Sequence, residues 1–112
     1  MIRRGQIYLA DLEPGFGTEP GKKRPVVVIQ TNLINRVHTS TMVCPVTGRV
    51  RPGWNLLRVR VARGEGGVEK ESDILVDQIR ALDNRRLLQL LGQVPSDAMA
   101  QLSGKLKVLL DL

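Results

Sequence analysis

Arg24, Thr47 and Glu19 have the side-chain types that stabilise and move charge at a phosphate. Arg24 heads an apolar run that continues through Pro25 to Ile29, Thr47 follows a second run from Ser40 to Val46, and Glu19 lies in a Gly- and Pro-rich stretch. A guanidinium brings permanent charge and a planar fork that matches phosphate oxygens. A threonine hydroxyl can donate to the same oxygens, and a carboxylate can take up a proton. Asp83 is a further carboxylate of the right type. Because arginine keeps its proton to above about pH 12, electrostatic stabilisation suits Arg24 better than proton donation. RNA is a phosphodiester for which such a set would suffice, since the ribose 2′-OH is an internal nucleophile. Spacing alone does not bring these residues together.

Base contacts need stacking platforms, and Tyr8, Phe16 and Trp54 are the aromatic residues of the chain, too few for an RNP-type sheet reader. Trp54 follows the basic stretch Arg49 to Arg51, an arrangement that offers a stack beside phosphate-binding cations. It is equally suited to folding back onto the protein.

Other chemistries drop out. With one His and one Cys, no Cys/His zinc cage and no three-histidine catalytic zinc site can form, and a two-histidine ribonuclease mechanism is impossible. No Gly-x-x-x-x-Gly-Lys-[Ser/Thr] sequence precedes Arg24, so the Gly-rich stretch is not a P-loop. The acidic residues are dispersed; Glu65, Glu69 and Glu71 are the densest set, beside Lys70 in a Gly-rich segment. Metal-dependent nucleases gather carboxylates around their ions, so neither metal nor other cofactor is expected. His38 reads as a surface-loop residue.

Seventeen Lys and Arg against eleven Asp and Glu give a net charge of +6 over 112 residues, which favours polyanions or acidic proteins as partners. The length fits one domain, 1–112. Cys44, among Met42, Val43, Pro45 and Val46, reads as a buried free thiol. The Met1-Ile-Arg-Arg-Gly5 start has no apolar signal core, and no run of about 18 apolar residues occurs; a cytoplasmic protein with no membrane span is the expectation.

The elements that must position these groups are short. Gln6 to Leu12 reads as a strand with Ile7 and Leu9 on one face. Glu13 to Lys23, with three Gly and two Pro, cannot be regular. Val26 to Ile29 is a β-branched run suited to a strand buried on both faces. Asn32 to Arg36 is a turn or a loose helical turn, Ser40 to Val46 a third strand, and Thr47 to Gly53 a basic loop. Leu57-Arg-Val-Arg-Val61 alternates, which predicts Leu57, Val59 and Val61 inward and Arg58 and Arg60 outward. Ala62 to Lys70 is a loop, and Ser72 to Leu82 supplies one or two strands. After Pro95, a helix capped by Ser96 carries Ala98, Leu102, Leu106 and Leu109 at helical spacing, with Asp97 at its positive end and Gly104 as a weak point. The fold expected is mainly β with a C-terminal helix, a small, partly open SH3-like β-barrel first and an OB-like one second.

Assembled, these pieces resemble a known family. Arg4-Gly5-Gln6-Ile7-Tyr8 with Asp11-Leu12, Gly17-Thr18-Glu19 with Gly21, Arg24-Pro25 with Val26 to Ile29, Asn32 with Asn35-Arg36, Pro45-Val46-Thr47, and Asp77-Gln78-Ile79-Arg80 with Asp83 are similar to the MazF/PemK/Kid toxins. They occur in the family's order and spacing over nearly the whole chain. The resemblance implies the toxin half of a bacterial toxin–antitoxin pair, with the SH3-like barrel of the MazF/PemK/CcdB-like toxins. It implies a homodimer that holds single-stranded RNA in an interface groove, and an antitoxin whose acidic disordered tail occupies that groove. It further implies sequence-specific, metal-independent cleavage to 2′,3′-cyclic phosphate and 5′-OH ends. Catalytic roles fall on Arg24, Thr47 and Glu19, and RNA contacts on Thr18, Asn35, Arg49, Arg51, Trp54, Gln78, Arg80 and Asp83. Pro20 stands where many members carry Gln; it removes a backbone donor and stiffens the loop around Glu19.

Two rivals stay open: a gyrase-poisoning toxin of the same fold, and a non-catalytic RNA-binding barrel. The first class acts through a C-terminal end bearing Trp, and this chain ends Val108-Leu-Leu-Asp-Leu112.

Overall fold

The computed structural model describes residues 1–14, 17–18, 22–53 and 56–112. The three valines Val26, Val27 and Val28 end β2 (Lys23–Val28) and are fully excluded from solvent. This is the outcome expected of a β-branched run in a central strand covered on both faces. β1 (Gln6–Asp11) and β3 (Ser40–Thr47) flank β2, both antiparallel. β3 then shares its other edge between two partners: Ser40–Val43 pair with β6 (Arg80–Asp83), while Val46 and Thr47 pair with β5 (Ser72–Leu75). β4 (Arg58–Val61) lies outside β5, and β7 (Leu87–Gln93) outside β1. Two helices complete the fold, the single turn α1 (Asn32–Asn35) and the C-terminal α2 (Ser96–Leu110).

The hydrogen-bonded order is β4-β5-β3-β2-β1-β7, with β6 also on β3. The mainly-β class with a C-terminal helix is as the sequence reads, but the sheet does not close into a barrel. Close packing stands in for pairing between its ends. The chain leaving β4 makes a 3-10 turn at Glu65–Gly67 that presses on β7. There Gly67 has φ +83°, and a Cβ on it would run into the carbonyl of Leu91. Glycine is therefore required at this crossing.

Strand alternation sorts the interior into two cores. One holds Ile7, Val27, Cys44, Val46, Val59, Val61, Ile74 and Val76 and is closed by Ala98, Leu102 and Leu106 of α2. The other, on the opposite side of β1, β2 and β3, holds Ala10, Leu12, Val26, Val43 and Leu82. Cys44 is a buried free thiol whose pKa burial pushes up to about 12, as expected for a packing residue rather than a nucleophile.

Some local expectations change. Leu9 is half-buried rather than a core partner of Ile7, and Ala10 and Leu12 are the buried residues; β1 has register shifts against β7 on either side of Tyr8–Leu9. Leu57 precedes β4 and is half-buried. Ser96 is the first residue of α2 rather than its cap; Pro95 occupies the cap position and makes no side-chain cap bond. The helix runs through Gly104, beside which a Cβ would find open space. None of the described helices is long and apolar enough to cross a membrane.

Candidate functional site

Alternation decides which side chains can meet. Val27, Cys44, Val46, Val59, Val61 and Ile74 face the core under α2, so their neighbours Arg24, Thr47, Arg58, Arg60, Asp73 and Leu75 share the opposite face. The β2–β3 register pairs Val26 with Pro45, two residues from Arg24 on one strand and from Thr47 on the other. Thr47 in turn lies opposite Asp73 on β5, and Asp73 opposite Arg60 on β4. One row across β3, β5 and β4 thus carries a hydroxyl, a carboxylate and a guanidinium, with Arg24 on the same face of β2.

The carboxylate of Asp73 organises the β4–β5 end of this row. Its side chain is 1% exposed, yet it is charged and richly bonded. Oδ1 accepts from Arg60 Nε at 2.6 Å, and Oδ2 accepts from Arg58 Nη1 at 3.1 Å and from the backbone N–H of Arg51 at 2.8 Å. Burial alone would raise its pKa, but the bonds from Arg60, the Arg51 amide and Arg58 together hold it below the ordinary carboxylate value. Arg60 is held protonated by the same contact and by Glu71. Arg58 also donates to the Arg49 carbonyl at 2.8 Å, and Thr47 Oγ1 accepts from the Arg49 amide at 3.2 Å. The start of the basic loop after β3 is therefore tied at Arg49 and Arg51 to the wall made by β3, β4 and β5.

In front of that wall opens a groove of about 460 Å³ lined by Thr18, Arg51, Arg58, Leu75, Asp77 and Gln78. A smaller recess of about 130 Å³ continues from Arg51 and Arg58 past Arg60 and Asp73 to Gln101 and Lys105 of α2. Two arginines, one hydroxyl, one amide and one apolar side chain, with Asp77 as the one carboxylate among the described residues of the lining, make an open channel suited to a polyanion that also presents flat apolar groups.

Of the residues singled out from sequence, Thr18, Arg51 and Gln78 meet in the groove. Arg24 and Thr47 stand on the adjoining face. Arg80, half-buried, pairs with Val43 and so shares that face, roughly 13 Å along β3 from Thr47. Arg49 is exposed on the loop. Two residues are elsewhere. Asn35 is buried, its amide bonded to Gln30 and Asn32, so it ties α1 to Gln30, which in turn bonds to Ser40 and Met42 of β3, rather than facing a ligand. Asp83 pairs with Ser40 at the far end of β3. It caps the next turn and grips Arg85 with both oxygens, at 2.9 and 3.0 Å; that grip lowers its pKa to about 2. Glu19 and Trp54 lie outside the described residues. His38 is exposed. Among the described residues no cluster of three or more His, Cys, Asp or Glu could hold a metal ion.

Sequence reasoning missed Asp73 and Arg58 as site residues. The signal was present in part: Arg58 and Arg60 alternate with core valines, and a single carboxylate interrupts the apolar run Ile74-Leu-Val76 at its start. Pairing the two required knowing that β4 and β5 are neighbours.

Residues 3–110 match the model of a family described as PemK-like, MazF-like toxin of type II toxin–antitoxin system. Among solved structures, a MazF from Deinococcus radiodurans is similar at 29% identity and TM-score 0.85, covering 99% of this chain and 97% of that one. A MazE–MazF complex from the same organism matches at 29% identity and TM-score 0.79, with coverage of 99% and 97%. An endoribonuclease with its cognate antitoxin from a mycobacterial species shares the fold at 22% identity and TM-score 0.82, covering 100% and 97%.

Proposed function

The chain belongs to the PemK-like, MazF-like toxin family of type II toxin–antitoxin systems, and from that premise we propose that it is a sequence-specific, metal-independent endoribonuclease acting on single-stranded RNA. The observation that carries this reading is that Arg24 on β2 and Thr47 on β3 share one face of the sheet, together with a groove lined by Thr18, Arg51 and Gln78. The ribose 2′-oxygen attacks the adjacent phosphorus while the P–O5′ bond breaks. The 2′-OH proton passes to a carboxylate, for which Glu19 is the candidate, and the leaving 5′-oxygen takes a proton from water. Arg24 stabilises the charge that develops on the phosphate. Thr47 Oγ1 already accepts from the Arg49 amide, so its own proton is available to donate to a phosphate oxygen. Similar structures from Deinococcus radiodurans and mycobacteria, one named an endoribonuclease and both solved with antitoxin, are consistent with this activity and with an antitoxin partner whose acidic disordered tail fills the groove.

A homodimer completes the reading. Leu33 of α1 and Val37 just after it are 89% and 80% exposed, and Ile34, Met42, Leu110 and Leu112 are exposed as well. Exposed apolar side chains on α1, β3 and the C-terminus fit an interface rather than open water. Light scattering at micromolar concentration should report a dimer; a monomer counts against this part. The activity itself is tested by incubating the protein with a long single-stranded RNA in EDTA and sequencing the fragment ends. Cuts at a recurrent short sequence are expected, and intact RNA would refute the proposal.

A further inference from the structure

We propose that Asp73 is a specificity-determining positioning residue, whose buried carboxylate fixes the basic loop to the groove wall and keeps Arg58 and Arg60 engaged with protein rather than with phosphate. This rests on the reading of the groove as an RNA site. The geometry is specific to the task. Oδ2 joins the Arg51 amide to Arg58, a residue of the groove, and Oδ1 holds Arg60 beside it. Arg58 passes the constraint on to the Arg49 carbonyl. The loop bearing Arg49 and Arg51 is thereby set in one position relative to Thr47, the residue from which it departs. Sequence discrimination needs such fixity, since a contact that can slide along the backbone binds phosphate without reading bases. The same carboxylate offsets charge. Two guanidiniums at alternate positions of β4 would otherwise add phosphate contacts that are the same for every RNA sequence.

Neutralising this carboxylate should therefore make binding tighter and less selective, which loss of stability alone would not do. The test compares wild type with Asp73→Asn on two fluorescent 2′-O-methyl oligonucleotides, one spanning a site that wild type cuts in RNA and one scrambled. The blocked 2′-oxygen prevents cleavage, so anisotropy reads binding across a salt series. For Asp73→Asn, affinity for the scrambled strand should rise several-fold and the preference for the site should fall about tenfold. The salt slope should steepen by about 0.7 for each guanidinium that turns to a phosphate. Hydrogen exchange should show the Arg51 amide losing protection. A folded Asp73→Asn protein with unchanged preference, slope and Arg51 protection would overturn the proposal. Arg60→Gln keeps the loop bond and covers the case in which Asp73→Asn does not fold. It should leave the preference within twofold and the slope unchanged to within about 0.2, whereas a slope shallower by about 0.7 would mean that Arg60 already binds phosphate and would also overturn it. Failure of the nuclease reading shows separately, as wild-type protein that cuts no RNA, and the Arg51 amide then decides whether Asp73 fixes the loop.

Discussion

On β4 and β5, Val59, Val61 and Ile74 point into a dry core closed by α2, whereas Arg58, Arg60 and Asp73, one residue away along the same strands, face the other side and bond to one another and to a loop. The apolar face is held by packing, which any residue of similar shape maintains. The polar face is held by directional bonds between charges, which only particular residues can make. Substitutions on the first should act on stability and leave the chemistry of the folded fraction alone. Those on the second should change chemistry or selectivity of the folded protein, over and above any effect on stability.

The largest effect is expected at Arg24. Arg24→Ala should lower RNA cleavage by about 10³-fold with little change in melting temperature or oligomeric state, as read by timed gels and thermal unfolding. Near-normal turnover by the folded variant would remove Arg24 from the mechanism. On the other face, Ile74→Ala should destabilise the fold by about 3 kcal/mol, lowering Tm by roughly 12 °C. Cleavage per folded molecule should be unchanged well below the new midpoint. A loss of turnover in the folded state would show that the two faces are not separable.

Acid sharpens the comparison further. Because bonding holds the folded pKa of Asp73 below its ordinary value of 3.8, its charged form stabilises the native state above that value. This contribution is lost as pH falls through the lower folded value. The stability difference between wild type and Asp73→Asn, measured by denaturant titration, should be constant from neutral pH to about 5 and shrink below about 4. A difference that grows on acidification would contradict the charge state assigned to Asp73. The smallest effect is expected at Asp83, whose carboxylate serves an exposed turn with Arg85. Asp83→Asn should change cleavage by about threefold or less, since it touches nothing in the groove; a much larger loss would extend the site to the far end of β3.

The legible parts of the fold are those where one strand carries its own pattern. The valine run of β2, the alternation of Arg58 to Val61 and the spacing of Ala98, Leu102 and Leu106 each declare which residues are buried, whereas Leu109 of the same helical pattern is exposed in the last turn of α2. β7 went unread because Leu87-Leu-Gln-Leu-Leu-Gly-Gln93 has neither strict alternation nor β-branched residues; its strand state comes from pairing with β1. Ser96 was misplaced by one residue because Pro95 takes the cap position. In the site, Thr18, Arg51 and Gln78 were legible as types. Their convergence, and the role of Asp73, depend on β3 dividing its edge between β5 and β6, a long-range fact that no local pattern encodes. Asn35 and Asp83 show the reverse: polar residues in matched motifs whose bonds are spent within the protein.

The central claim is that the arginine–threonine face promotes attack by the neighbouring 2′-OH. The most direct measurement is mass spectrometry of the fragments of a short RNA carrying a mapped site, cut in excess EDTA, beside the same strand with 2′-deoxyribose at the scissile nucleotide. The account predicts a 2′,3′-cyclic phosphate on one RNA fragment and a 5′-OH on the other, with the deoxy strand bound but uncut. Cleavage of the deoxy strand at the RNA rate, or abolition of cutting by EDTA, would contradict it and require water activated by a metal ion as the nucleophile.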